Sequence, residues 1–163
     1  MPLIRKNEIN SIIMSRRTQL GLSQDSISRF CKLSKAEYGD IEGYEDELYM
    51  VVPLRVAQCI CMALDMKLEE LYCSNSNHNI LPRNIIDIKL KEKNLSVAEL
   101  SDFVGIYESS IEKIIDDILN IGDWVVDPII SLAEKLELEL GSVLKSYSAY
   151  YDEEKMGSRG GNH

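Results

Sequence analysis

Three groups of side chains in this 163-residue sequence are of types that do chemistry: four cysteines, one internal histidine and several runs of carboxylates. Thiolates at Cys31, Cys59, Cys61 and Cys73 together with His78 would be the raw material of a zinc site. Such a site wants four ligands at CxxC-like spacing, whereas Cys59 and Cys61 form a CxC pair and no second internal histidine exists. No close cysteine pairing resembles a secreted disulfide framework either, so the four are expected to be reduced thiols acting as small apolar residues. No histidine stands in a nucleophile pattern and no glycine-rich phosphate loop is present. The runs Asp116-Asp117 and Asp152-Glu153-Glu154 read as solvated faces rather than as an acid/base pair. We therefore expect no enzyme activity, no metal and no cofactor.

The remaining chemistry is electrostatic. The formal charge is −9, which opposes binding to any polyanion. It is unevenly spread: up to Asn75 there are 9 basic and 11 acidic residues, and beyond it 9 basic and 16 acidic. The first half is thus the better candidate for touching phosphate, because local basic clusters matter more than the total. No stretch approaches the roughly 20 apolar residues of a membrane span, and the first residues lack the apolar core of a signal peptide, so a cytoplasmic, non-membrane location is expected.

The elements that would position these charges are helices. A length of 163 residues allows one ordinary domain or two small ones. Ser74-Asn75-Ser76-Asn77-His78-Asn79, followed by Pro82, is a polar loop between two apolar-periodic halves. It divides a domain over 1–75 from a second over 83–151, with a charged and glycine-rich tail over 152–163 expected to be flexible. In the first half Ile4, Ile9, Ile12, Ile13 and Leu20 line a helix that Gly21 ends. Ser23 caps a second helix carrying Ile27 and Phe30 inward. Leu33 anchors the turn, Ser34 with Glu37 forms a capping box, and Tyr38 and Ile41 are the buried face of a third helix ending at Gly43. After an acidic loop over 44–52, Pro53 opens a fourth helix with Val56, Ile60, Met62 and Leu64 for the core, and Leu68 and Leu71 mark a short fifth.

The second half repeats the plan. An offset of 73 carries Leu22-Ser23 to Leu95-Ser96, Ile27 to Leu100, Phe30 to Phe103, Leu33 to Ile106, Tyr38 to Ile111 and Ile41 to Ile114. Later the offset drifts by one, pairing Leu71 with Val143. The expected fold is all-α, two tandem five-helix domains.

Arg17-Thr18-Gln19-Leu20-Gly21-Leu22-Ser23-Gln24, then Leu33-Ser34, then Ile41-Glu42 resembles the Xre-type, phage-repressor family of helix-turn-helix domains over about residues 4–71. The resemblance implies a five-helix repressor-like DNA-binding fold, a partly buried ion pair between Arg17 and Glu42, and a bond from Gln24 to a DNA phosphate. That last role is physically apt, because helix N-termini already attract phosphate. It also implies that the third helix lies in the major groove with Lys35, Ala36 and Asp40 facing bases. Ala36 can meet only a thymine methyl, and Asp40 can only accept from a cytosine amino group. Glu37 adds another negative charge. Arg16, Arg29, Lys32 and Lys35, with Ser34, lie in or beside the segment that would approach a duplex, as phosphate contacts or as solvated charge. Arg5 and Lys6 read as solvated.

In the second copy Leu90, Ile115 and Val97 stand at the positions of Arg17, Glu42 and Gln24, exchanging a charged pair for apolar side chains. Its turn keeps Lys113 among Glu108, Glu112, Asp116 and Asp117, a poor phosphate surface. Trp124, Tyr147, Tyr150 and Tyr151 are either core or an aromatic contact surface. Two functions follow as expectations: a sequence-specific regulator binding double-stranded DNA, with the second copy for homodimerisation or partner contact, or an acidic module of immunity or antitoxin type that neutralises a basic protein partner.

Overall fold

The computed structural model describes residues 8–75 and 77–160; Ile4, Arg5 and Lys6 lie outside them. The chain is all-helical, with no strand among the described residues. None of these helices is long and apolar enough to cross a membrane. The chain divides into two compact units, one comprising residues up to 76 together with 123–127, the other residues 77–122 and everything from 128 on. The inclusion of residues 123–127 in the first unit was not foreseeable from apolar periodicity. Within that unit the Leu54 N–H donates to Trp124 O at 2.8 Å, and Arg55 Nε lies 3.2 Å from Asp123 Oδ1.

The first unit contains α1 (Ile9–Gln19), α2 (Gln24–Phe30), α3 (Lys35–Gly43), α4 (Glu47–Met50), α5 (Leu54–Ala63) and α6 (Leu68–Tyr72). Ser23 caps α2 by accepting from the Ser26 N–H, and Ser34 and Glu37 form a reciprocal capping box on α3. Ile9, Ile13, Ile27, Tyr38, Ile41, Leu54, Ile60, Leu64, Leu68 and Leu71 close one apolar core. The acidic loop over 44–52 holds one further helical turn, α4, because Leu48 and Tyr49 bury there. Phe30 does not point inward: it is 55% exposed. On α2 the buried residues are the adjacent Ile27 and Ser28, and at about 100° per residue position 30 falls well to the side of the face they define. Leu20 and Met62 are likewise exposed at the ends of their helices.

The second unit is built from α7 (Ile85–Lys93), α8 (Val97–Val104), α9 (Glu108–Asp116), a 3-10 turn (Ile118–Asp123), α10 (Val126–Lys135) and α11 (Leu140–Gly160), except that residues 123–127, the end of that turn and the start of α10, belong to the other unit. Ile86, Leu100, Ile111, Ile114, Ile118, Ile129, Leu132, Leu136, Val143, Leu144 and Tyr147 form its core. Phe103 is 51% exposed, with the Lys135 ammonium 4.7 Å from its ring centroid. Trp124 and Tyr147 are buried, and Tyr150 and Tyr151 half-buried, so these aromatics form no exposed contact surface. Helix α11 also runs past Tyr151, where a flexible tail was expected. Arg83 holds Asp117, Glu153 and Glu154 at 2.8–3.1 Å and stacks on Tyr150, anchoring carboxylates that would otherwise repel one another.

Both boundaries of α9 lie 73 residues after those of α3, and both boundaries of α10 lie 72 after those of α5. The left-handed residues match as well. Gly21 and Asn94, and Lys32 and Gly105, are spaced by 73; Asp65 and Glu137 are spaced by 72. A backbone that turns left-handed at corresponding places ends its helices at corresponding places.

The polar loop after residue 76 is strapped onto α11. The Asn79 and Leu81 N–H groups donate to the Ser142 and Ser146 hydroxyls, Lys145 Nζ donates to His78 O, and the Tyr150 hydroxyl donates to Leu81 O. The His78 ring is buried against Gly141, where an added Cβ would fall 2.0 Å from Cε1. Gly141→Ala therefore has to displace a buried ring. The expected result is a loss of about 1–3 kcal/mol, read as a lower urea midpoint, with Gly157→Ala, which lies in the same helix and meets nothing, as the control that shows no loss.

Candidate nucleic-acid interface

Most of the singled-out side chains of the first unit fall in two places, Lys32, Ser34 and Lys35 at the turn between α2 and α3, and Arg17, Gln24 and Glu42 where the end of α1, the start of α2 and the end of α3 meet on a carboxylate. Glu42, 2% exposed, accepts from Arg17 Nε at 2.7 Å on Oε1 and from Gln24 Nε2 at 2.6 Å on Oε2. Its backbone carbonyl accepts from Asn10 Nδ2 at 3.2 Å. Arg17 also donates through Nη1 to Leu22 O at 2.9 Å. One buried carboxylate thus joins α1, the start of α2 and the end of α3. The Glu42 hydrogen bond, opposed by burial, raises the Arg17 guanidinium above its ordinary range. Gln24 is accordingly tied inward by its amide nitrogen, leaving its carbonyl side as the part not committed to Glu42.

The cations around this centre are not equivalent. Arg16 turns away from the turn: its Nε donates to Leu64 O at 2.9 Å and Nη2 lies 3.4 Å from Asp65 O, placing positive charge at the C-terminal end of α5. Arg29 Nη2 lies 2.7 Å from Asp25 Oδ2, and Lys35 Nζ 3.7 Å from Asp25 Oδ1, so one carboxylate serves both exposed cations. Lys32 has no ion-pair partner among the described residues. It sits at φ +56 in the left-handed conformation that ends α2, where the second unit has Gly105. Ser34 is occupied as the α3 cap, accepting from the Glu37 N–H at 3.1 Å. Lys35, Ala36, Glu37 and Asp40 are exposed along α3.

Beyond Asp40 the surface becomes anionic. Burial, and after it the neighbouring carboxylates Asp40 and Asp46, raise the Glu47 carboxyl above its ordinary range. No family model, curated protein or solved structure matches the chain. What the site can do must therefore be argued from its own geometry. Among the described residues no group of three or more His, Cys, Asp or Glu side chains is placed to hold a metal ion.

Asp25 is the residue that sequence reasoning missed. Its spacing to Arg29 is the i,i+4 helical pair that was open to inspection, while its reach to Lys35 depends on the α2–α3 angle. In the second unit Leu90 is buried and Ile115 half-buried at the positions of Arg17 and Glu42, showing an apolar solution to the same packing problem. Removing one partner of the charged pair should be far worse than removing both. Glu42→Ala is expected to lose about 3–5 kcal/mol, since it strands Arg17 and Gln24, whereas Arg17→Leu, Gln24→Val and Glu42→Ile together should lose much less. Urea unfolding of both variants measures the difference; equal losses would mean the pair carries no such penalty.

Proposed function

We propose that the chain consists of two tandem five-helix repressor-like domains and acts as a sequence-specific DNA-binding transcriptional regulator, not an enzyme. The first domain reads double-stranded DNA, and the second serves homodimerisation or contact with a partner. The observation that carries this reading is the Arg17–Glu42–Gln24 cluster, which holds α3 against α1 and α2 while Lys35, Ala36 and Asp40 remain in solvent. A helix held at a fixed angle with its outer face free is what major-groove docking needs. Lys32, Arg29 and Lys35 flank that face as phosphate contacts, and the N-terminus of α2 at Gln24 adds its own attraction for an anion. Two such helices in a dimer would span half-sites about 34 Å apart. No cofactor is required, and a cytoplasmic location is part of the proposal.

A second reading is favoured by a specific observation. Asp25 neutralises two of the three flanking cations, and Asp40, Asp46 and Glu47 gather beside them. Such a surface suits a basic protein partner, as in an immunity or antitoxin-like module, because charge complementarity speeds association.

Asp25→Asn separates the two. It frees Arg29 and Lys35 without altering the turn, so selection from a random duplex pool at low salt should enrich a defined sequence for the natural chain, and Asp25→Asn should bind it several-fold more tightly. Lys32→Ala and Lys35→Ala should each reduce the slope of log affinity against log salt by about 1. No enriched sequence in any variant, together with passage through a heparin column at low salt, would remove the DNA reading and leave the protein partner.

A further inference from the structure

The helix-turn-helix reading leaves one chemically capable group of side chains unused, at the base of the same turn. Cys31 is the C-terminal cap of α2 and Cys59 lies on α5, and their side chains are within hydrogen-bonding reach of each other. The Cys59 thiol also donates to Phe30 O at 3.9 Å, the carbonyl of the peptide bond that enters Cys31. Both cysteines are half-buried rather than sealed, in contrast to Cys61 and Cys73, which are buried. From this juxtaposition we infer that Cys31 and Cys59 form an oxidative modification site that closes to an intramolecular disulfide on reaction with a hydroperoxide.

The chemistry balances with the peroxide as sole oxidant. The Cys59 thiolate attacks one peroxide oxygen, the O–O bond breaks, and the sulfur becomes a sulfenic acid while the departing oxygen leaves protonated as water or an alcohol. The Cys31 sulfur then attacks the sulfenic sulfur, the S–S bond forms, and hydroxide leaves with the Cys31 proton as water. Two electrons pass from the two sulfurs to the peroxide. Burial and the adjacent sulfurs push the Cys31 thiol far above its ordinary range, so its attack on the sulfenic sulfur is the slow step and its proton leaves as the S–S bond forms. Cys61 is fully buried and so shielded from a peroxide in solution, whereas Cys59 is half-buried.

The pair is not needed to build this packing. Carried over by the matched helix boundaries, the second unit has Val104 at the position of Cys31 and Ser131 at that of Cys59, both half-buried. Two thiols in reach of one another, where the same frame is made without sulfur, are available for a chemical rather than a packing role. Closure would draw the sulfurs to about 2.05 Å and tie the end of α2 to α5 immediately before Lys32.

The test uses the full chain, reduced and then exposed to hydrogen peroxide at neutral pH, with thiols counted by alkylation after denaturation and the linkage read by peptide mass mapping. Two of the four thiols should disappear, the mass should fall by about 2 Da, the linked peptides should carry Cys31 and Cys59, and dithiothreitol should restore all four. Cys59→Ser should leave Cys31 fully alkylable, and Cys31→Val should stop at a Cys59 sulfenic acid that dimedone traps. These replacements are the residues the second unit has at the same places. Four alkylable thiols after peroxide, a link through Cys61 or between two chains, or over-oxidation of Cys59 without a link would each overturn the inference. None of these outcomes bears on whether the chain binds DNA.

Discussion

Everything in the first unit turns on a carboxylate that has no water to lean on. Glu42 is buried with its charge, and a buried charge is tolerable only when its lone pairs are engaged by donors held in the right places. Arg17 comes from α1, Gln24 from the first residue of α2, and Glu42 itself from the end of α3. The three helices are therefore obliged to keep one relative geometry, since any drift that lengthens these bonds exposes an uncompensated charge. Apolar packing by Ile27, Tyr38 and Ile41 fills the space between the helices but is tolerant of small shifts; the charged cluster is not. The second unit solves the problem with Leu90 and Ile115 and gives up the directional constraint along with the charge.

The helices were legible where the signals were local. Gly21, Ser23, Ser34 with Glu37, and Pro53 all stand at the boundaries their chemistry implies, and the 73-residue offset matches α9 to α3 in the sequence. The meeting of Arg17 with Glu42 was legible only through the family resemblance, because nothing in a 25-residue separation reports contact. Side-chain direction was less accessible. Phe30 and Phe103 are large, apolar and correctly spaced as a repeat, yet both face solvent, because on short helices the buried direction is set by two or three neighbours rather than by periodicity over many turns. The extension of α11 beyond Tyr151 was hidden for a different reason: it depends on Arg83, some seventy residues earlier, gathering carboxylates that by themselves look like a solvated tail.

The candidate interface shows why a cation count is a poor guide to an electrostatic surface. Arg16, Arg29, Lys32 and Lys35 look alike in the sequence, but one is spent on a helix terminus, two share a carboxylate, and one stands alone. The field near the turn is the outcome of those local pairings: Lys35 at the start of α3 is paired with Asp25, Glu37 and Asp40 are exposed along the same helix, and Asp46 and Glu47 follow it. Any polyanion that meets α3 therefore has to be met from the side of Lys35 and Lys32 and away from Glu37 and Asp40.

Lys32 adds a last consequence. A left-handed residue with a long side chain is held about 1 kcal/mol or more above what glycine would need there, and the second unit shows glycine at the corresponding position. The first unit thus keeps a small reserve of conformational strain at the tip of its turn, in a cation that has no ion-pair partner among the described residues. Whatever engages that ammonium meets a backbone already fixed, so the ordering that opposes the contact is that of the lysine side chain alone.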